Sequence, residues 1–453
     1  MSDKYDLVVI GGGPGGLAAA QTAAAKKKKV LIIEKNGWGG TCTHRGCIPT
    51  KALLSCSKFY ADLKKLKRVG VTIAGGTVDF SAMKKHQQQM VKVAALGAQK
   101  VLADAQVETK QGTAEILTPQ DVRYTDPSGQ SQVVTTDNVL IAWGSQPQIP
   151  ADIQISEHIL TSDDILGLTT LPSAMIIVGG SFIGVEYATV FAELGVKVVL
   201  VELLDHILPQ EDEEAADFLH QELTRQGIVV HTSTKLVSLT ESAGGVVVHV
   251  QKNNENMEMR AGYALLCTGR KPLLQREELT RLGIDYTNAG IKIDAKMMTS
   301  IRGIYAAGDV TGGMMLAHRA AQQAKVAVES MFGGGDYACN ENLIPSVVYS
   351  HPQIARIGYT EKTAGNEGLE VEVVKSSYGA NIIARSELMG QGFAKALFHR
   401  DKIIGAVIVG DHAADLLAPL TLAVSSGLTR KQLRLWVIPH PTLGEILATF
   451  ADS

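Results

Sequence analysis

The sequence predicts an α/β protein with two Rossmann-like dinucleotide-binding folds in one chain of 453 residues. The length exceeds a single hydrophobic core and predicts about three domains. The second observation is an internal repeat. It consists of two segments of equal length, residues 8–34 (VVIGGGPGGLAAAQTAAAKKKKVLIIE) and residues 176–202 (IIVGGSFIGVEYATVFAELGVKVVLVE). Each reads as an apolar strand, a glycine-rich turn, an amphipathic helix and a second apolar strand that ends in glutamate. Two βαβ units therefore organise the chain.

The first glycine turn has the spacing of a dinucleotide-binding site. Gly11 permits the tight turn, Gly13 lets backbone reach a pyrophosphate, and Gly16 allows the helix to pack closely on the strand. The N-terminus of the helix faces the anion. Glu34 closes the second strand, where its carboxylate would accept hydrogen bonds from a ribose diol. This unit therefore predicts a bound dinucleotide.

The second turn differs at its middle position. Ser181 stands between Gly179–Gly180 and Gly184, and a residue this small predicts a displaced pyrophosphate rather than a lost site. Glu202 ends the strand, and the following LLDHILPQ holds no arginine for a 2′-phosphate, which favours NAD(H) over NADP(H). Two sites in one chain imply a resident flavin beside an exchanging nicotinamide, with a hydride passed between them.

Composition excludes several function classes. Hydrophobic residues make up 45% and charged residues 20% of the chain, as in ordinary globular proteins. The formal net charge of -3 creates no field that favours nucleic acid or an anionic membrane. No apolar run reaches the roughly 18 residues of a membrane span, and no signal peptide precedes the strand at Leu7. A cytoplasmic location is expected, where lasting structural disulfides are rare.

Two of the five cysteines stand close together in residues 39–51 (GGTCTHRGCIPTK). A regular helix would separate Cys42 and Cys47 by about 7.5 Å of rise. A disulfide needs Cα atoms about 4.4–6.8 Å apart, so the segment is expected to bend near Gly46. Such a bridge would be strained, and strained or accessible bridges are the labile, catalytic kind. A redox-active pair beside the flavin is the favoured interpretation.

Two alternatives to a redox pair remain open at this point. Cys42 and Cys47 could be inert free thiols. They could also form a metal site with His44 and Cys56, which together offer four soft or borderline ligands. That spacing matches no common zinc pattern, and no metal is expected.

Five motifs in a fixed order carry a resemblance to a known family. They are residues 39–54 (GGTCTHRGCIPTKALL), 265–272 (LLCTGRKP), 303–318 (GIYAAGDVTGGMMLAH), 344–361 (IPSVVYSHPQIARIGYTE) and 440–447 (HPTLGEIL). Together they resemble the flavoprotein disulfide reductases, and among these the members that oxidise dihydrolipoyl groups. The resemblance implies an FAD-binding domain (1–150), an NAD-binding domain (151–272), a central domain completing the FAD site (273–340) and an α+β dimerisation domain (341–453).

The resemblance implies redox roles for four residues. Cys42 would exchange with the substrate sulfur, and Cys47 would lie against the flavin ring as a thiolate. Lys51, one helical turn past Cys47, would lie near flavin N5, where its cation favours reduced flavin and thiolate. Glu186 would pair with Lys51 and contact the nicotinamide.

The resemblance also implies two sets of cofactor contacts. Those expected for FAD are Gly11, Gly13, Gly16, Glu34, Lys51, Gly112 and Ala114 (adenine), Gly144, Asp309 (ribityl chain) and the backbone of Ala317 (pyrimidine edge). Those expected for NAD are Gly179, Gly180, Ser181, Gly184, Glu186, Glu202, Leu236 and Gly269.

The C-terminal segment PHPTLGE supplies a candidate base. Thiol–disulfide chemistry needs a base to make a thiolate, and the imidazole of His440 titrates in the useful range. Glu445 would hold the other ring nitrogen and fix the tautomer. The resemblance implies that this pair reaches the disulfide of the partner subunit, so that the active site exists only in a homodimer.

The implied activity is oxidation of a dihydrolipoyl dithiol with reduction of NAD⁺. The donor would be the lipoyl domain of a 2-oxo acid dehydrogenase, acetoin or glycine cleavage system, with no nucleic acid or membrane partner. The alternatives are another NAD(P)H-dependent flavin disulfide reductase, or a flavin transhydrogenase or quinone reductase that does not use the disulfide. Departures from the family pattern are Thr43–Arg45, Trp143, Leu273, Pro439 and Gly444.

Overall fold

The computed structural model of the protein describes residues 4–73, 75–335 and 337–452. They form two compact units, each with its own sheets and core. The first unit contains the described residues up to Ala52 together with Lys84–Gln148 and Gly269–Glu341. The second contains Leu53–Met83, Ile149–Thr268 and the described residues from Asn342 onward.

The helices and strands of the described residues follow in chain order. The α-helices are α1 (Pro14–Ala25), α2 (Gly40–His44), α3 (Cys47–Leu63), α4 (Phe80–Asp104), α5 (Phe182–Glu193), α6 (Glu213–Arg225), α7 (Arg276–Leu282), α8 (Ala317–Phe332), α9 (Glu361–Asn366), α10 (Ile382–Ser386), α11 (Ala413–Ser425), α12 (Arg430–Leu433) and α13 (Thr449–Asp452). The strands are β1 (Lys4–Ile10), β2 (Val30–Glu34), β3 (Glu108–Gln111), β4 (Thr113–Thr118), β5 (Asp121–Thr125), β6 (Ser131–Ile141), β7 (Ser145–Pro147), β8 (Ile159–Thr161), β9 (Ala174–Val178), β10 (Lys197–Val201), β11 (Val229–His231), β12 (Lys235–Ser242), β13 (Gly245–Lys252), β14 (Glu255–Ala261), β15 (Tyr263–Leu266), β16 (Arg270–Pro272), β17 (Tyr286–Thr287), β18 (Gly290–Ile291), β19 (Ile304–Ala306), β20 (Ser346–Val348), β21 (Gln353–Gly358), β22 (Glu372–Ser377), β23 (Phe393–His399) and β24 (Lys402–Gly410).

The first unit is built on a sheet with strand order β3-β2-β1-β6-β5-β4, and β19 pairs with β6. The pairings among β1, β2, β3, β6 and β19 are parallel, and those of β4 and β5 are antiparallel. Side chains of β1 alternate between the two faces. Leu7 and Val9 pack in a cluster with alanines of α1 and α8, whereas Val8 and Ile10 pack with Ile304. Burial on both faces explains the continuous apolar run of this strand.

The second unit repeats this design in a parallel sheet of order β11-β10-β9-β15-β8. Met175 and Ile177 of β9 face the cluster that contains buried residues of α5 and α6, and Ile176 faces the antiparallel sheet β12-β13-β14. The two predicted βαβ units, β1-α1-β2 and β9-α5-β10, are confirmed.

The C-terminal part of the second unit is an antiparallel sheet of order β20-β21-β24-β23-β22. Helix α11 covers it, since Leu417 and Leu420 are buried in the same cluster as Ile357 and Ile408. The predicted α/β class with an α+β C-terminal portion is confirmed. None of the helices in the described part of the chain combines the length and the apolar character needed to cross a membrane.

A buried ion cluster joins α6 to the C-terminal sheet. Lys395 on β23 is 1% exposed, and its Nζ lies 3.0 Å from Asp212 Oδ1, 3.3 Å from Glu214 Oε2 and 2.5 Å from Glu361 Oε2. Asp212 is 2% exposed and also caps α6 by accepting a hydrogen bond from the backbone of Ala215. Burial raises the pKa of Asp212, although the Lys395 ammonium acts in the opposite direction. The Lys395 ammonium therefore offsets part of the cost of burying the Asp212 carboxyl group.

Lys395→Met should destabilise the second unit by about 3–5 kcal/mol, because it leaves a buried carboxylate without its cation while nearly conserving side-chain volume. Urea unfolding of the full chain would measure the shift. Lys362→Met is the matched control, since the Lys362–Glu213 pair spans 2.6 Å but both side chains are more than half exposed. The control should cost less than about 1 kcal/mol. Equal shifts for the two variants would contradict the role of burial.

Candidate active site

Backbone geometry explains two of the three predicted glycines in the first turn. Gly11 has φ +112, and a Cβ there would lie 2.2 Å from the carbonyl oxygen of Ala142. A Cβ on Gly16 would lie 1.8 Å from the carbonyl oxygen of Gly11. Both positions therefore exclude any side chain. Gly13 has φ -76, and a Cβ there would meet no atom closer than Gly40 Cα at 3.9 Å.

The second turn reproduces this geometry around the serine. Gly179 has φ +110 with its virtual Cβ 2.2 Å from the carbonyl oxygen of Cys267, and that of Gly184 lies 1.8 Å from Gly179 O. Ser181 has φ -83 and ψ -174, and its counterpart Gly13 has φ -76 and ψ -175. The serine therefore adopts the backbone conformation of the glycine it replaces. The departure seen in the sequence leaves the turn unchanged.

The two strand-ending glutamates brace their own glycine turns. Glu34 Oε2 accepts a hydrogen bond from Gly12 N at 2.6 Å, and Oε1 accepts one from Asn36 N at 2.6 Å. Glu202 Oε2 likewise accepts from Gly180 N at 2.6 Å. Both carboxylates are buried. A role in ribose binding stays a prediction, and the bracing of the turn is a function that sequence reasoning missed.

Gly184→Ala should weaken NADH binding about 100-fold, a loss of about 2.7 kcal/mol. The new methyl group would overlap Gly179 O at 1.8 Å, so the helix must move away from the turn. Calorimetric titration with NADH would measure the change. Ser181→Ala is the control, because its backbone angles suit any residue, and it should stay within threefold of the parent. An unchanged affinity in Gly184→Ala would contradict a nicotinamide dinucleotide at this turn.

The redox segment contains a break between two helices. Helix α2 ends at His44 and α3 begins at Cys47, and Arg45 between them has φ -138, outside the helical range. The predicted bend near Gly46 is confirmed. Cys42 and Cys47 are half-buried cysteines in the reduced, thiol form. A hydrogen bond to Cys47 and burial together hold the pKa of Cys42 well above its usual range, while the Lys51 ammonium opposes them.

Two of the three unusual residues between the cysteines, Thr43 and His44, pack against the protein. Thr43 is buried, and a Cβ on Gly39 would lie 2.1 Å from its Oγ1. His44 Nε2 lies 3.1 Å from the carbonyl oxygen of Trp38. Arg45 is exposed. Within the described ranges, no group of three or more His, Cys, Asp or Glu side chains is arranged to hold a metal ion.

The structure places Lys51 and Glu186 in different units. Lys51 lies on α3 one turn past Cys47, as predicted. Glu186 is buried on α5, and its Oε1 accepts a hydrogen bond from Tyr349 N at 3.0 Å. Their pairing stays a prediction. Leu236 on β12 and Gly269 likewise fall in different units.

The other predicted FAD positions in the first unit follow strand ends. Gly112 donates its N–H to the carbonyl oxygen of Glu34 at 2.9 Å, which fixes the start of β4, where Ala114 lies, beside the first turn. Asp309 accepts a hydrogen bond from Ser145 Oγ at 2.6 Å, just past Gly144.

The first unit also contains the predicted Ala317 and the unpredicted Arg270. Arg270 Nε donates to Ser145 Oγ at 2.9 Å, so that hydroxyl links the arginine to the predicted ribityl-binding carboxylate. Arg270 and Ser145 were not predicted as site residues. Ala317 begins α8, where its backbone N–H is one of the groups a helix leaves unpaired at its start.

His440 and Glu445 form a pair within one short segment. His440 Nδ1 lies 2.8 Å from Glu445 Oε1, and Thr442 N donates to Glu445 Oε2 at 2.9 Å. The Thr442 N–H and the His440 ring hold the pKa of Glu445 below its usual range. An ionised carboxylate can only accept, so Nδ1 carries a proton and Nε2 is left as the basic nitrogen. The His440 side chain is 76% exposed.

Comparison with known proteins agrees with this geometry. Residues 5–324 match the family described as pyridine nucleotide-disulphide oxidoreductase, and residues 344–451 match its dimerisation domain. The chain belongs to the pyridine nucleotide-disulphide oxidoreductase family. It is an oxidoreductase whose cofactors are FAD and NAD, and the dimerisation-domain match supports a homodimer.

Within this family the chain is similar to dihydrolipoyl dehydrogenases, as the motifs indicate. It is 35% identical to that of Geobacillus stearothermophilus over 424 residues, covering 93% of this chain and 90% of the relative. It is also 35% identical to that of Chlorobaculum tepidum over 449 residues, covering 98% and 96%. The crystal structure of LpdA from Mycobacterium tuberculosis matches with a TM-score of 0.92 and 27% identity over 98% of this chain and 99% of that chain. The HOCl-induced flavoprotein disulfide reductase RclA of Escherichia coli matches with a TM-score of 0.85 and 25% identity over 99% of each chain.

The first glycine turn fits a flavin dinucleotide. A Cβ on Gly13 would meet Gly40 Cα at the ordinary contact distance of 3.9 Å, so the surrounding protein does not crowd this turn at the start of α1. A pyrophosphate needs this close approach to backbone N–H groups. The braced Glu34 and the N–H of Gly112 lie at the same end of the sheet.

Proposed function

We propose that the protein is a dihydrolipoyl dehydrogenase that oxidises a protein-bound dihydrolipoyl dithiol and reduces NAD⁺ to NADH. The paired thiols of Cys42 and Cys47, at the break between two helices and under the field of Lys51, carry this proposal. A transhydrogenase or quinone reductase would not need this pair. The Glu202 carboxylate beside the second turn favours NAD⁺ over a dinucleotide with a 2′-phosphate.

The chain's own residues perform the thiol–disulfide exchange. His440 accepts a proton from one substrate thiol, and the thiolate attacks Cys42 in the enzyme disulfide. A mixed disulfide forms, and Cys47 leaves as a thiolate stabilised by Lys51. The second substrate sulfur then displaces Cys42, which takes up its proton. Two electrons now rest on the enzyme dithiol, with one proton on His440 and one on Cys42.

FAD, when bound, would supply the hydride route between the enzyme dithiol and NAD⁺. The Cys42–Cys47 disulfide re-forms as the dithiol gives up its two electrons; one of the two protons leaves with them as the hydride, and the other is released as H⁺. We assign FAD to the first turn, with Gly11–Gly16, Glu34, Gly112, Asp309 and Ala317 as its main contacts. NAD is assigned to the second turn, with Gly179–Gly184, Glu186 and Glu202 as its main contacts. We also propose the domain boundaries expected from the sequence, with domains at residues 1–150, 151–272, 273–340 and 341–453.

The active site in this proposal is shared between the subunits of a homodimer. His440 is largely exposed within its own chain, and its Nε2 is the free basic nitrogen of the pair with Glu445. An exposed base of this kind can serve the cysteine pair of a second copy. The dithiol donor would be a lipoyl domain of a 2-oxo acid dehydrogenase, acetoin or glycine cleavage system. A cytoplasmic location suits a disulfide that must open and close.

A substrate panel tests the proposal. The purified yellow holoenzyme would be assayed with dihydrolipoamide and NAD⁺, and in reverse with lipoamide, glutathione disulfide and coenzyme A disulfide, each with NADH and NADPH. The highest kcat/KM is expected for dihydrolipoamide with NAD⁺. Higher turnover with glutathione disulfide or coenzyme A disulfide would assign the protein to another disulfide reductase.

A further inference from the structure

Glu193 on α5, whose side chain is largely covered, connects three elements that are far apart in sequence. Glu193 Oε2 accepts the hydroxyl proton of Ser57 on α3 at 2.6 Å, and Glu193 Oε1 lies 2.7 Å from His351 Nδ1. Ser57 is fully buried, and the Glu193 side chain is 8% exposed. A carboxylate in such a place is costly unless both oxygens are hydrogen-bonded, and both are. The cost points to a role that an apolar residue could not fill.

The same face of α5 carries a second tie to the same segment. Glu186 and Glu193 are the two acidic residues of the helix and stand seven positions apart, which is about two turns. Glu186 accepts from Tyr349 N at 3.0 Å, while Glu193 contacts the ring of His351. The segment Tyr349–His351 therefore fastens α5 at two levels. Because the helix is nearly rigid, its register along its own axis is fixed.

The contact with Ser57 extends this restraint to α3. That helix runs from Cys47 to Leu63 and carries Cys47 and Lys51 in its first two turns. Ser57 has a single hydroxyl proton, and the 2.6 Å bond to a carboxylate is stronger than its 3.1 Å contact with Leu54 O. An axial shift of a helix at one end moves the other end by the same distance. Loss of the hydrogen bond at Ser57 would therefore let Cys47 shift along the helix axis.

We propose that Glu193 is a positioning residue. It fixes the axial position of α3, which carries Cys47 and Lys51, through its contact from α5 to Ser57. It acts through Ser57 on one side and His351 on the other, and it touches neither substrate nor cofactor. The proposal rests on the function proposed above, because it concerns the helices that carry Cys47, Lys51 and Glu186. It deepens that function by naming a residue that restrains the helix carrying Cys47 and Lys51.

The test compares Glu193→Ala holoenzyme with Glu241→Ala. Glu241 makes the same kind of trio on the surface, since it accepts from Ser156 Oγ and lies 3.2 Å from His158 Nδ1. Two readouts report positioning rather than folding: the long-wavelength flavin–thiolate absorbance of the two-electron-reduced protein, and the rate of flavin reduction by NADH. We expect the absorbance to shift or weaken and the rate to fall about tenfold in Glu193→Ala. Both should stay within twofold in Glu241→Ala.

A second variant separates positioning from loss of stability. Ser57→Ala breaks the link to α3 alone, so it should reproduce most of the absorbance change, and the double variant should be no worse than Glu193→Ala. A lower unfolding temperature with unchanged absorbance and unchanged NADH rate would overturn the proposal. Neither readout needs a dithiol substrate. Failure to oxidise dihydrolipoamide would therefore count against the proposed function and not against this coupling.

Discussion

A Cys42→Ser variant should lose dihydrolipoamide oxidation by more than about 10⁴-fold, the scale on which a nucleophile is lost, while NADH still reduces the bound flavin. Cys42 is the residue whose sulfur forms the mixed disulfide in the proposed cycle. A serine hydroxyl cannot form a disulfide bond. Its partner Cys47 would remain on α3 with Lys51 one turn further on. Stopped-flow measurement of each half-reaction would separate the two effects.

The control for this prediction is another cysteine on the same helix. Cys56 is half-buried on α3, nine positions past Cys47, so it lies outside the exchanging pair. Cys56→Ser should keep both half-reactions within about twofold. If Cys42→Ser slowed dithiol oxidation and NADH-driven reduction equally, the assignment of Cys42 to the substrate side would be wrong.

Local features of the fold could be predicted because they depend on residues close in sequence. The bend between Cys42 and Cys47 followed from the rise of a helix, and the break at Arg45–Gly46 is where it was expected. The contact of His440 with Glu445 also lies within one short segment. In both cases the backbone leaves few arrangements available.

The bracing of the glycine turns by Glu34 and Glu202 could have been predicted from the repeat. Each glutamate lies at the end of a parallel strand next to its own turn, and each accepts from the second glycine of that turn at 2.6 Å. The φ of -83 at Ser181 shows that the turn needs no glycine there, and a displaced pyrophosphate at this position stays a prediction.

The long-range polar clusters could not be predicted from one sequence. Lys395 meets Asp212, and Glu193 meets both Ser57 and His351, only after several elements have packed together. Each of these residues on its own reads as an ordinary surface charge or helix residue. Their burial depends on sheet order and on which helix face is covered, which spacing along the chain does not encode.

A His440→Gln variant should lower dithiol oxidation by about 10²–10⁴-fold, the usual contribution of a general base. Glutamine keeps a polar group of similar size but cannot accept a proton. NADH-driven flavin reduction should be unchanged, because it does not require a proton from a substrate thiol. His158→Gln is the matched control, since His158 also contacts a glutamate through Nδ1, at 3.2 Å, and lies partly exposed.

A Glu445→Gln variant tests whether the Glu445 carboxylate holds the His440 ring in position. The pKa of Glu445 lies below its ordinary value, so its support of His440 is fully present above the ordinary carboxylate range and is lost only as pH falls through the lowered value. The parent enzyme should therefore keep its base oriented throughout neutral and mildly acidic pH. Glu445→Gln removes the charge that fixes the tautomer, and we expect about tenfold slower dithiol oxidation at neutral pH, where the parent is fully supported. A rate equal to the parent's at neutral pH would mean that Glu445 only caps the segment through Thr442.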